Sequence, residues 1–379
     1  MCCSMSSIVV KEVTSKKMLK DFIKFQIDLY KDNPYFVPPM IFDELNFFDR
    51  KKNASLNQCD CICFLAYKDN KIVGRICGIY NPVYNAKINE KHLRFTCFDV
   101  IDDIEVSKAL FEAIEKWGKE EYGLTKFDGP IGFTDMDRQG MLLEGFDLPG
   151  MSITNYNYPY YVKHMEELGF VKDVDWVEYK VNIPNEIDPR LERISSMLMN
   201  RRGYKLVKFK NKKEIKKRLY DIFDAYNKAF EPLHGVIPLT RAHMDAYYNQ
   251  YISLLDLKYI KVVEDEQGKI VAVGILAPSL TEALQKNKGK LFPFGWIPLL
   301  KALKHPRILD MYIIGVMPEY QGLGINSIIM LDVLKQAIED KIEFAETGPE
   351  LVENEKVQAQ WKGYDATIVR RRRCWMKDI

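Results

Sequence analysis

The stretch Ile313-Ile314-Gly315-Val316-Met317-Pro318-Glu319-Tyr320-Gln321-Gly322-Leu323-Gly324-Ile325-Asn326-Ser327 joins three things in succession. An apolar run reads as a short strand. Pro318 ends it, because proline has no N–H for a sheet ladder. A turn with two glycines follows, and Ser327 to Asp340 then places Ile328, Leu331, Leu334 and Ile338 on one helical face. A strand, a glycine turn and a helix start leave several backbone N–H groups without partners. The helix dipole adds partial positive charge at the same point, so the join suits an anion, and a diphosphate above all. Glycine matters because a side chain would hold phosphate away from the backbone.

The turn is neither a P-loop, since no Gly-Lys-Ser/Thr follows, nor a dinucleotide fingerprint, since Gly322-x-Gly324 has no third glycine. It resembles motif A of the GCN5-related N-acetyltransferases, the GNAT superfamily, which reads Gln/Arg-x-x-Gly-x-Gly/Ala after a Val-x-Pro strand end. Val316, Pro318, Gln321 and Gly324 match, and Asn326 stands where the motif has Gly or Ala. The resemblance implies acetyl-CoA or a longer acyl-CoA as donor. It implies contacts from Ile314 and Val316 and from Gln321, Gly322, Leu323, Gly324, Ile325, Asn326 and Ser327. No metal is called for.

Outward from this stretch, the chain reads as a repeat. Leu65 to Gly74 is a hairpin with Lys71-Ile72-Val73 opening its second strand, and Ile260 to Ala272 is another with Lys269-Ile270-Val271. Phe127-Asp128-Gly129-Pro130 parallels Glu346-Thr347-Gly348-Pro349, and Gly169-Phe170 parallels Gly363-Tyr364. Each half opens on an amphipathic helix, Lys16 to Lys31 and Lys213 to Phe230. The expected fold is α/β: two tandem GNAT domains, 1–184 and 185–379, each a mixed twisted sheet flanked by helices. The first half should lack the donor site. Where the second has its glycine turn, the first has Asp99-Val-Ile-Asp102-Asp103-Ile-Glu105, whose carboxylates would repel a diphosphate.

In the superfamily an amine attacks a thioester carbonyl, a carboxylate acting through water takes the ammonium proton, and a tyrosine often protonates the departing thiolate. Glu346, at the end of the strand that would splay from the donor strand, is the expected base, with Glu350 and Glu353 as alternatives. The position matching the usual tyrosine, seven residues after Asn354, is Trp361, and an indole cannot act as the acid. The general acid is unassigned; Tyr312 and Tyr364 are near only in pattern.

Two inserts bear on the acceptor. Lys286 to Pro306 is apolar and rich in aromatics, either a cap on the core or a lid over an acyl chain or lipid acceptor. Ile131 to Tyr161 carries Asp135, Asp137, Arg138, Glu144 and Asp147 and ends in Asn155-Tyr-Asn-Tyr-Pro-Tyr-Tyr161. It either receives an amine head group or seals the interface between halves. These features together look like a bacterial tandem-GNAT family that includes ceramide-synthase-like N-acyltransferases. The resemblance implies transfer of an acetyl or longer acyl group to a primary amine, a sphingoid-type or other hydrophobic amine among them. The alternative is a CoA-binding or regulatory protein without turnover.

Composition agrees with a globular chain: 47% hydrophobic, 28% charged, with a net charge of only +2. That balance gives no sign of nucleic-acid binding, and Arg370 to Arg373 reads as a charge-guarded edge strand. No apolar run is long enough to span a membrane; peripheral membrane contact stays open, as does the oligomeric state. Alternating Cys59, Cys61 and Cys63 read as a buried strand in a reducing cytoplasm rather than a metal site. Met1-Cys2-Cys3 lacks the apolar leader of a lipidated cysteine.

Overall fold

The computed structural model describes residues 7–379; Cys2 and Cys3 lie outside them. The first half runs β1 (Val9–Glu12), α1 (Lys16–Leu29), α2 (Ile41–Phe47), β2 (Asp60–Lys68), β3 (Lys71–Tyr80), α3 (Pro82–Ile88), β4 (His92–Val100), α4 (Ile104–Tyr122), β5 (Lys126–Gly129), β6 (Met141–Glu144), α5 (Tyr160–Glu167) and β7 (Val171–Asn182). The second runs α6 (Pro189–Arg202), β8 (Lys205–Leu206), α7 (Lys212–Phe230), α8 (Arg241–Gln250), β9 (Ile260–Glu264), β10 (Ile270–Pro278), α9 (Thr281–Asn287), α10 (Trp296–Lys304), β11 (Ile308–Val316), α11 (Asn326–Glu339), β12 (Phe344–Thr347), β13 (Glu350–Leu351), α12 (Glu355–Ala359) and β14 (Ala366–Asp378).

Local chemistry explains most boundaries. The β2–β3 turn carries Asp69 and Asn70 in the left-handed region, the pattern that suits a tight hairpin. Ser15, Asp103 and Asn211 cap α1, α4 and α7 with side-chain oxygens. The segment between the halves holds a helix the periodicity did not announce. Asp188 caps α6, Pro189 opens it and Gly203 closes it. Only Ser195 and Leu198 of α6 are buried, so its apolar stripe is faint.

All strands join one fourteen-stranded sheet of mixed direction, in the order β1-β2-β3-β4-β5-β14-β7-β12-β11-β10-β9-β8. The sheet does not divide at residue 184. The chain's last strand, β14, lies antiparallel between β5 and β7, and β7 in turn pairs with β12. Each half therefore depends on the other for its innermost strand. Separate apolar clusters fill the two faces of each half. One lies between sheet and α4, another against α1, a third against α6 and α11, and a fourth against α7 and α8. Cys63 and Cys77 are paired opposite each other inside the β2–β3 hairpin as buried free thiols.

The reading of Arg370 to Arg373 as an exposed edge is corrected here. β14 is central, and Arg370 and Arg372 are each 1% exposed. Both guanidinium groups donate to the fully buried Glu178 of β7, and Arg370 also donates to Glu346 of β12. Two cations face two anions, so the group is neutral as a whole. The same guanidinium groups donate to the carbonyls of Pro149 and Asn155, fixing the first-half insert over the sheet. Periodicity reports which way a side chain points, not which strand comes to lie beside it. Removing one partner of a buried ion pair typically costs about 3–5 kcal/mol. Glu178→Gln should therefore lower the unfolding free energy by about that amount, read as a reduced urea midpoint, while Arg371→Gln on the half-exposed face of β14 should leave it nearly unchanged.

Candidate active site

β11 and β12 pair in parallel only from Ile308 to Met311. The last link is Gly348 N–H to Met311 O, at 3.0 Å. β12 then stops, and its continuation, β13, pairs with β7 instead. Across β11, the pairing with β10 shifts register between Ile275 and Leu276 and resumes to Val316. The stretch Tyr312 to Val316 thus has a strand on one side and a cleft on the other.

The turn after β11 has the features of an anion site. Gly322 and Gly324 take φ of 78° and 82°, a region that suits glycine. A Cβ added at Gly322 would meet nothing within 4 Å. No side chain caps the fourteen-residue α11. Among the described residues, the amides of Gly322, Leu323, Gly324, Ile325 and Asn326 have no hydrogen-bond acceptor. The buried Ser327 hydroxyl is also unpartnered. These donors, added to the helix dipole, fit a diphosphate. The matching helix of the first half differs: the carboxylate of Asp103 accepts from Glu105 N–H and fills the N-terminus of α4. Asp99 is held by Arg75 at 2.7 Å, and Asp102 by His164 at 3.2 Å.

Beside the cleft lies a cavity of about 910 Å³, bounded by both halves. Its walls differ in chemistry. Ile314, Val316 and Gln321 line it on the β11 side, so three of the expected donor contacts meet it directly. The turn from Gly322 to Ser327 lies beyond the lining. Asn326 Nδ2 reaches Gln360 Oε1 at 3.4 Å, and Gln360 does line the cavity. A second wall is acidic and phenolic. Asp135 and Asp137 come from the first-half insert, Tyr226 from α7, and Tyr247 from α8. Burial pushes Asp137 up to about 6 and raises Asp135 as well. One oxygen of Asp135 accepts from Tyr226, while its Oδ1 and the Oε1 of Gln139 have no donor. Asp135 and Gln139 both line the cavity. The third wall is apolar: Trp296, Leu299, Leu300 and Leu303 of α10, with Leu284 of α9.

Glu350 also lines the cavity, at the start of β13 where the strand turns away from β11. Burial pushes its carboxyl up to about 8, against the opposing effect of the Trp361 indole, whose N–H donates to it at 2.9 Å. Glu346 is placed differently. Its carboxylate is taken up by Arg370, and it is not among the lining residues. Burial raises Glu346, with Arg370 opposing, and Asp310, opposite it in the register, is pushed up to about 8 by burial and by the Glu346 charge. Tyr312 lines the cavity, whereas Tyr364 packs against the apolar core of the second half. The Glu350–Trp361 contact is not legible in the sequence. The position of Trp361 was conspicuous, but nothing local in the sequence says which carboxylate its N–H would meet.

No protein-family profile matches the chain. It is 29% identical over 339 residues to protein YghO of Escherichia coli K12, covering 88% of this chain and 84% of that protein. It is 26% identical over 305 residues to a bacterial ceramide synthase of Caulobacter vibrioides, covering 79% and 77% of the two. Among solved structures, a tandem GNAT protein from the clavulanic acid biosynthesis pathway superposes with a TM-score of 0.56 at 10% identity, over 98% of each chain. With the splayed β11–β12 pair and the open glycine turn, these likenesses make the chain a tandem protein of the GNAT fold, similar in sequence to a bacterial ceramide synthase.

Proposed function

We propose that this chain transfers an acyl group from acyl-CoA to the primary amine of a hydrophobic molecule, a sphingoid-type base among the candidates. The observation that carries this reading is the single cavity that joins the β11 cleft to a wall bearing the Asp135 and Asp137 carboxylates and to an apolar wall. About 910 Å³ is at the upper end of small-molecule sites, which run from about 300 to 1,000 Å³. An acceptor with an ammonium head and an aliphatic body matches both walls. The name of the Caulobacter relative, a ceramide synthase, supports the same class of acceptor.

In this scheme the amides of Gly322 to Asn326 hold the donor's diphosphate, and the open edge of β11 from Tyr312 to Val316 lies alongside the arm that carries the thioester. Asp135 and Gln139 accept hydrogen bonds from the ammonium group. Glu350 takes a proton from it, directly or through water, so that the nitrogen lone pair attacks the thioester carbonyl carbon. A C–N bond forms, the C–S bond breaks, and the second proton released by the nitrogen passes to the departing thiolate, so that CoA leaves as the thiol while Glu350 returns its proton to water. Trp361 touches no reacting atom; it positions the Glu350 carboxylate. A CoA-binding protein without turnover is the second reading, favoured by the indole that stands where the superfamily has its tyrosine.

The two readings separate in one assay. Purified protein given palmitoyl-CoA and sphinganine should release free thiol and form the amide, both followed by mass spectrometry. Trp296→Ser with Leu300→Gln should narrow the preference for sphinganine over a short-chain primary amine by about tenfold or more, since each buried CH₂ contributes about 0.8 kcal/mol. Retention of CoA with no thiol release across a panel of amines would support the second reading instead.

A further outcome concerns pH. A general base must be ionised, and the Glu350 carboxyl is pushed up to about 8. The rate should therefore be full above that pH and fall on the acid side of it. Glu350→Gln should lose the limb together with most of the rate. Trp361→Phe removes the N–H that favours the carboxylate, so the limb should move to higher pH by about one unit. A rate flat from pH 6 to 9 in wild type would reject Glu350 as the base.

A further inference from the structure

The aromatic insert divides its side chains between two environments. Trp296, Leu299, Leu300 and Leu303 line the cavity, whereas Phe292 and Phe294 do not. These two are 78% and 69% exposed. They sit at the tip of the loop before α10, beside the exposed Ile297. Phe42 and Leu254 are also exposed and also line the cavity. Gly289 O accepts from Ile41 N–H at 3.2 Å, so the loop and the start of α2 are tied together. The cavity thus opens through a rim of large apolar side chains that water would otherwise cover.

Charge along the loop and α10 has one sign. Between Lys286 and Lys304 the sequence has five lysines and no carboxylate. All five, Lys286, Lys288, Lys290, Lys301 and Lys304, are exposed. Among the described residues none of them enters an ion pair, whereas Arg307, just beyond, pairs with Glu282 and Glu343. A chain of net charge +2 has no general excess of positive over negative charge to account for this. Apolar and aromatic side chains ringed by free lysines are the makings of an interfacial surface, with the rings among the acyl chains and the ammonium groups at the headgroups. Among the described residues no helix is long and apolar enough to cross a membrane, so contact here would be peripheral.

We infer that the loop Lys286 to Gly295 with α10 docks on the surface of an anionic lipid bilayer, with Phe292 and Phe294 inserted and the cavity mouth facing the lipid. A second copy of this chain is a poorer occupant, because two such surfaces would bring like charges together. The inference goes beyond the proposed transfer and its test needs no turnover. It also supplies a route: a hydrophobic amine could pass laterally from the bilayer over Trp296 and Leu300 into the cavity.

The test is co-sedimentation of the full chain with vesicles of phosphatidylcholine alone or with phosphatidylglycerol at about a third of the lipid. Wild type should sediment with the anionic vesicles, less with neutral ones, and less as salt rises. Phe292→Ser with Phe294→Ser should weaken partitioning by about tenfold or more. Both side chains are mostly exposed, so its thermal melt should overlay that of wild type. Lys301→Gln with Lys304→Gln should weaken binding to anionic vesicles by about tenfold and leave the weak binding to neutral ones as it was. The inference is overturned if wild type stays in the supernatant with both vesicles at low salt, or if neither double variant changes its partitioning. A wild-type dimer that the Phe292→Ser, Phe294→Ser variant converts to a monomer, with no vesicle binding, would assign the surface to a second copy and overturn it equally.

Discussion

The structure depends on the pairing of β7 with β14 and on the buried charges that fix its register. Glu178 accepts from both Arg370 and Arg372, and Glu346 accepts from Arg370. A one-residue slip would turn both arginines to the opposite face of the sheet, away from these carboxylates. Such a slip would leave Glu178 buried without its cations. The strongly asymmetric cost of unpaired buried charge makes this group a specificity device as much as a source of stability. It also ties three parts of the chain together: the end of the first half, β12 of the second, and the insert that brings Asp135 to the cavity.

The site follows from that pairing. β7 draws the β13 segment away from β11, and the cleft between β11 and β12 opens where the sheet changes partners. Glu350 lies at that divergence with Trp361 against it, and the acidic wall arrives from the other half on the insert held by Arg370 and Arg372. Neither half has the whole arrangement. The first half has no open glycine turn, since Asp103 caps α4. The second has the turn but takes its acidic wall from the first.

Sequence patterns reported local features well. The strand end at Val316, the turn at Gly322 and Gly324, the hairpin that turns at Asp69-Asn70 and the helices read from Lys16 and Lys213, which begin at Lys16 and Lys212, all follow from short-range rules about proline, glycine and apolar spacing. What those rules lack is the identity of distant partners. Arg370 lies 192 residues from Glu178. Without that contact β14 looks like a guarded edge, and Glu346 looks like a free carboxylate at a strand end. Trp361 was marked by its position after Asn354, but its role as a donor to Glu350 required the fold. The faint stripe on α6 hid a helix whose caps, Asp188-Pro189 and Gly203, were present in the sequence all along.

The central claim is that one half of the molecule, through its uncapped helix, receives an acyl-CoA donor while the other half completes the cavity. Calorimetric titration of CoA tests it most directly. The account predicts one CoA per chain in wild type, and loss of binding in Gly324→Val, where a β-branched side chain cannot easily hold a φ of 82°. Two CoA per chain, or unchanged affinity in Gly324→Val with an intact fold, would contradict it.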